Sequence, residues 1–161
     1  MKKRRFVIKE SGILPTLAVA LCLLTGCAPA PQHAGLLTIM NCTDNTLTVQ
    51  STIACPNDTY PAEFTLAPGE TRPIASTATY PDATPITIDN FLTNPSDASV
   101  TVTATVNGAV RAKTWTFAAR TASGKQLFNL SSSQLESSED PRKNFTTENY
   151  VFMIREEDLK E

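Results

Sequence analysis

The chain has 161 residues, 41% of them hydrophobic, 19% charged and 7% aromatic, with a formal net charge of −2. That suffices for one small core; it is too apolar for a disordered chain and, at a pI of about 5.4, too acidic for a nucleic-acid surface. A single histidine, His33, and four cysteines leave little material for hydrolase or metal chemistry, so no cofactor and no metal site is expected.

The chain opens on a basic cluster, Lys2, Lys3, Arg4, Arg5 and Lys9, followed by an apolar run from Ile13 to Leu24 and then Leu24-Thr25-Gly26-Cys27. The run is short for a bilayer span and holds Pro15, which suits an export segment better than a permanent membrane helix. Basic start, apolar run and small residues before a cysteine, in that order, resemble the signal sequence of bacterial lipoproteins. The resemblance implies removal of residues 1–26, lipidation of the Cys27 thiol and acylation of the new N-terminus by palmitate-type chains. It also implies a location in the cell envelope, at the outer membrane where the host has one, because Ala28 and not Asp follows the cysteine.

Five of the 14 basic residues and one of the 16 acidic residues lie in 1–26, which leaves 9 against 15 and a formal charge of −6. A surface of that sign attracts neither anionic lipid nor nucleic acid, so the membrane is reached through the acyl chains, at about 0.8 kcal/mol per buried methylene. Residues 27–35 are then a lipidated cysteine and a tether stiffened by Pro29 and Pro31, and 36–161 form one domain.

From Leu36 onward the pattern has period two. Leu47 and Val49 alternate with Thr48 and Gln50, and Val100, Val102 and Ala104 alternate with Thr101, Thr103 and Thr105. Strands are predicted near 36–42, 46–54, 62–67, 70–76, 85–92, 99–106, 109–119, 125–130 and 149–155, separated by turn clusters such as Pro68-Gly69 and Asn107-Gly108. The serine-rich, charged stretch 131–143 is predicted to be a mobile loop. The fold expected is all-β, an antiparallel β-sandwich of the immunoglobulin-like type, with a small β-barrel as the alternative.

The Asn107-Gly108 hairpin admits two registers. A two-residue loop sets Val106 opposite Ala109 and Val102 opposite Lys113; a three-residue loop sets Thr105 opposite Ala109 and keeps Arg111 and Lys113 off the valine face. Burying two cations costs several kcal/mol, so the second register is expected. It turns Trp115 outward beside Arg111 and Lys113, a flat aromatic between cations that could hold a sugar ring or a peptide. The plainer alternative is a bulge after Lys113 that returns Trp115 and Phe117 to the core. Tyr60, Tyr80 and the loop 76–85 form a weaker second platform.

With Cys22 removed and Cys27 lipidated, Cys42 and Cys55 remain, an even pair that in an exported domain predicts a disulfide. A straight strand between them would hold them apart, which leaves free thiols or an intermolecular bond as alternatives. Functionally, the sequence points to a non-enzymatic envelope lipoprotein that binds a protein or glycan or scaffolds an assembly. The alternatives are a lipoprotein inhibitor or accessory subunit of a secreted or envelope enzyme, and an enzyme working with carboxylates alone, for instance Asp82 and Asp89.

Overall fold

The computed structural model describes residues 30–160. Residues 1–29, which hold the expected signal segment and Cys27, lie outside the described residues. The period-two runs lie where expected: Leu47, Val49, Val100 and Val102 are fully buried, and the threonines between them face outward. These residues belong to β2 (Leu47–Ser51) and β6 (Ser99–Val106), which pair with each other and with β3 (Glu63–Leu66) and β7 (Ala109–Thr116) in the order β3-β2-β6-β7.

The second sheet runs β4-β1-β9-β8, from β4 (Thr71–Ser76), β1 (Gln32–Asn41), β9 (Phe145–Ile154) and β8 (Gln134–Asp140). A two-residue β5 (Tyr80–Pro81) extends it beside the start of β1. All strand pairs are antiparallel except β1 and β9, which run parallel over ten residue pairs. Neither sheet closes on itself, so the fold is the expected sandwich and not the barrel. Leu37, Ile39, Phe152 and Ile154 from one sheet meet Leu47, Val49, Val102 and Trp115 from the other, all within a few per cent of complete burial.

Several expected elements differ. Gln32 to Gly35, expected to be part of a tether, belong to β1 and pair with Phe145 to Glu148. Residues 85–92 are not a strand but lead into a short 3-10 turn, Ile88–Phe91, where the Asn90 side chain accepts the Thr87 N–H at 2.7 Å. Nor is 125–130 a strand. Leu127 and Phe128 are consecutive and both buried, which a strand with one wet face does not allow, and they fill the core as a plug. The loop expected at 131–143 contains β8, whose ladder with β9 runs from Gln134 opposite Val151 to Asp140 opposite Phe145. As an edge strand exposed along nearly its whole length, β8 shows no apolar alternation, and Glu136, Glu139 and Asp140 along it discourage further pairing.

The hairpin takes the register that the burial argument rejects. Asn107 and Gly108 have φ of 51° and 80°, the left-handed pair that a two-residue loop requires, and Val106 stands opposite Ala109. The argument fails because β7 is a sheet edge. Arg111 and Lys113 lie on the core side, yet at the margin of the sandwich, where Arg111 is exposed and Lys113 half-buried. Val110, which the other register would bury, is 72% exposed.

No bulge is needed to bury Trp115. It stands opposite Val100, 2% exposed, edge-on to Phe152 at 5.3 Å, and its indole N–H donates to the Lys125 carbonyl at 3.2 Å. Lys125 in turn donates to the Met153 carbonyl and pairs with Asp158, so the segment after β7 is fastened to the end of β9.

Two readouts check this placement. The emission of Trp115, the only tryptophan in the chain, should be blue-shifted and insensitive to aqueous quenchers. Trp115→Ala should lower the unfolding free energy by about 3–5 kcal/mol, measured by denaturant titration.

Candidate functional site

Of the residues that the sequence singles out, Trp115, Arg111 and Lys113 share a face, but it is the inner face of β7, and the ring is packed away from solvent. They do not form the exposed platform expected for a sugar or peptide. Tyr60 and Tyr80 are also apart in their contacts: the Tyr80 hydroxyl meets the Asn90 amide at 3.4 Å, whereas Tyr60 belongs to a cluster with Asp58 and Ser76. Asp82 lies next to Pro31, whose carbonyl accepts its N–H at 3.1 Å, while Asp89 is exposed in the 88–91 turn.

Cys42 and Cys55 are free thiols. Cys42 follows β1 directly and donates its N–H to the Ile154 carbonyl. The Cys55 sulfur lies near the Ser76 backbone, and Ser76 is paired with Leu36, six residues before Cys42 on β1. At about 3.3 Å per residue that is roughly 20 Å, far beyond the ~7 Å that a disulfide spans between Cα atoms. The expected bridge is therefore absent, because β1 runs straight between the two positions. Burial, together with the nearby Asp58 carboxylate, raises the Cys55 thiol above its ordinary range against a weaker lowering by the Ser76 backbone.

His33 is not in a tether but 3% exposed on the core side of β1. Its Nδ1 lies 2.9 Å from the Glu148 carboxylate, and the other oxygen of that carboxylate accepts the Tyr150 hydroxyl at 2.6 Å. Phe91 packs edge-on to Tyr150 at 6.0 Å and sits so close to β1 that a Cβ on Gly35 would come within 2.7 Å of its ring. This chain of three polar side chains joins the first strand to the last beside the buried Phe91. Its signal in the sequence is faint: His33 and Gly35 continue the inward period of Leu37 and Ile39, but proline and composition mark the segment as a tether.

A cleft of about 370 Å³ with mixed chemistry lies between the 86–88 segment and the stretch after β7. Phe128 forms its floor, and Ile86, Ile88 and Leu130, each half-buried, form apolar walls. Arg120 lines it from the end of the short turn that follows β7. Its guanidinium lies over the Phe117 ring at 3.9 Å and donates through Nη1 to the Phe117 carbonyl at 3.2 Å. Asn129 lines it from farther along the same stretch, with Oδ1 accepting both the N–H and the hydroxyl of Ser131. Sequence reading misses the cleft because its walls come from segments about forty residues apart, neither of them regular.

Compared with known protein families, curated proteins and solved structures, this chain matches none of them.

Cys42 and Cys55 should both react without reductant, Cys42 quickly and Cys55 more slowly, and the intact mass of a protein spanning residues 30–161 should not change on reduction. Burial and the Glu148 carboxylate push the Tyr150 phenol above its ordinary value of 10.0. Its proton is thus held in the folded state after the unfolded chain has lost it, so stability should fall as the pH rises above about 10. Tyr150→Phe should lessen that fall, read from denaturation midpoints between about pH 8 and 11.

Proposed function

We propose that this chain is a lipid-anchored protein of the cell envelope whose sandwich works by binding or scaffolding and not by catalysis. The observation that carries the reading is the order of basic start, apolar run and Leu24-Thr25-Gly26-Cys27, with the domain following at once. Strand β1 begins at Gln32, so four residues separate it from Cys27 and the reach to the anchor is about 17 Å at most. A tether that short holds the end of the sandwich bearing the start of β1 against the membrane.

The chemistry of the described residues agrees with a binding role. The one imidazole is committed to Glu148 inside the core, where it ties strands together. The cleft beside Arg120 combines apolar walls with directional polar groups, the makeup of a ligand site. The partner expected is a protein or a glycan, with no part for nucleic acid on so acidic a domain.

Metabolic labelling tests the anchor. The full-length protein should incorporate palmitate and sediment with membranes, and Cys27→Ser should do neither while accumulating as uncut precursor. Equal labelling of the Cys27→Ser protein would overturn the assignment.

A further inference from the structure

We propose that the cleft between Ile86 and Leu130 binds a monoanionic carboxylate that carries an apolar substituent, with Arg120 as the group that receives the charge. The inference rests on the binding-module reading and names the ligand chemistry of that module's site.

Three features converge. First, Arg120 is a cation paired with no carboxylate among the described residues, in a domain whose formal charge after residue 26 is −6. Second, the guanidinium is held before any ligand arrives, stacked on Phe117 and tied to its carbonyl, so less side-chain freedom is lost when its remaining N–H groups take up an anion. Third, the Asn129 carbonyl oxygen is already occupied by Ser131, so the amide that Asn129 leaves for a ligand is a donor. Arg120 and Asn129 thus offer N–H groups, and the other polar side chains of the lining, Thr87, Thr121 and Ser131, are neutral hydroxyls, so the cleft suits a ligand that accepts hydrogen bonds at its charged end.

The size of the charge and the nature of the rest follow from the same residues. One guanidinium balances one negative charge, and the planar edge of arginine matches the two oxygens of a carboxylate. A phosphate dianion would need a second cation, and none lines the cleft. Ile86, Ile88, Leu130 and Phe128 leave apolar surface beside the guanidinium, so the carboxylate should carry an aliphatic or aromatic group on the neighbouring carbon. Both the C-terminus of a peptide ending in such a residue and a free acylated amino acid present this chemistry.

The test uses the full chain in a non-ionic detergent with its methyl groups labelled for NMR. The probes are N-acetyl-leucine, a short peptide ending in leucine with a free carboxylate, the same peptide amidated, and inorganic phosphate. The carboxylate probes should shift the Ile86, Ile88 and Leu130 methyl signals with a Kd on the order of millimolar or tighter, and amidation should weaken binding tenfold or more. Tighter binding of the peptide than of N-acetyl-leucine identifies a chain terminus as the source, and equal binding identifies the small acid; either supports the proposal. Arg120→Gln should remove the carboxylate preference and Arg120→Lys should keep part of it. The amidated peptide on the unaltered protein keeps the test valid if Arg120→Gln unfolds.

Amide and carboxylate binding equally well, phosphate competing as strongly as the carboxylate, or no methyl shift with either carboxylate would each overturn the proposal. A partner captured elsewhere on the domain would leave these methyl signals unmoved, and palmitate labelling at Cys27 is read independently. Failure of the cleft proposal is thus separable from failure of the anchored binding module.

Discussion

The parallel pairing of β1 with β9 is the constraint on which the rest of the structure depends. The two strands lie at the centre of their sheet, and β4, β5 and β8 attach only to one or the other. That sheet cannot exist until the last strand of the domain has found the first, a long loop closure that makes for slow folding. The ladder is reinforced on its inner side by His33, Glu148 and Tyr150, and on its outer side by Thr38, whose hydroxyl donates to Asn149 at 2.6 Å. Removing one partner of the buried set would leave another unsatisfied, at about 1–3 kcal/mol. These side chains therefore select this register over its neighbours.

The remaining architecture is lopsided along the strand axis. Where β1 and β9 end, the chain turns tightly: Asn41 donates its side-chain amide to Asn45 and Leu66 carbonyls, the 67–70 turn folds back onto Asn41, and Asn107-Gly108 closes the hairpin. Where β1 begins, the connections are long, 52–62 between β2 and β3 and 82–98 before β6. Gly35 lets Phe91 pack against the bare backbone of β1 and so anchors the second of these. The cleft with Arg120 is built from that same segment and from the stretch after β7. A rigid sandwich presenting irregular segments at one end is a common way for a β fold to acquire a site.

The sheet edges explain where charge was placed. β8 carries Glu136, Glu139 and Asp140, and β7 carries Arg111 and Lys113. Both strands offer an unpaired ladder edge to any passing chain, and charged side chains at those positions discourage such pairing. Cations on the inner face of β7 are tolerable only because the strand is outermost: from there a long side chain reaches water without crossing the core.

The sequence by itself determined the class of fold. Alternation of Leu47, Val49, Val100 and Val102 with threonines commits those runs to strands with one buried face, because a side-chain period of two needs no information from elsewhere in the chain. It also marked a turn at Asn107-Gly108, but not its register: the burial argument favoured the three-residue loop, and the edge position of β7 allowed the two-residue one. Only the tertiary structure decided which strands lie at an edge, and with that the fate of Trp115, Arg111 and Lys113, the strand character of 134–140, and the membership of His33 in the core. The free state of Cys42 and Cys55 and the meeting of Arg120, Ile86 and Leu130 belong to the same group. Each depends on neighbours distant in the chain, and local periodicity carries no record of those neighbours.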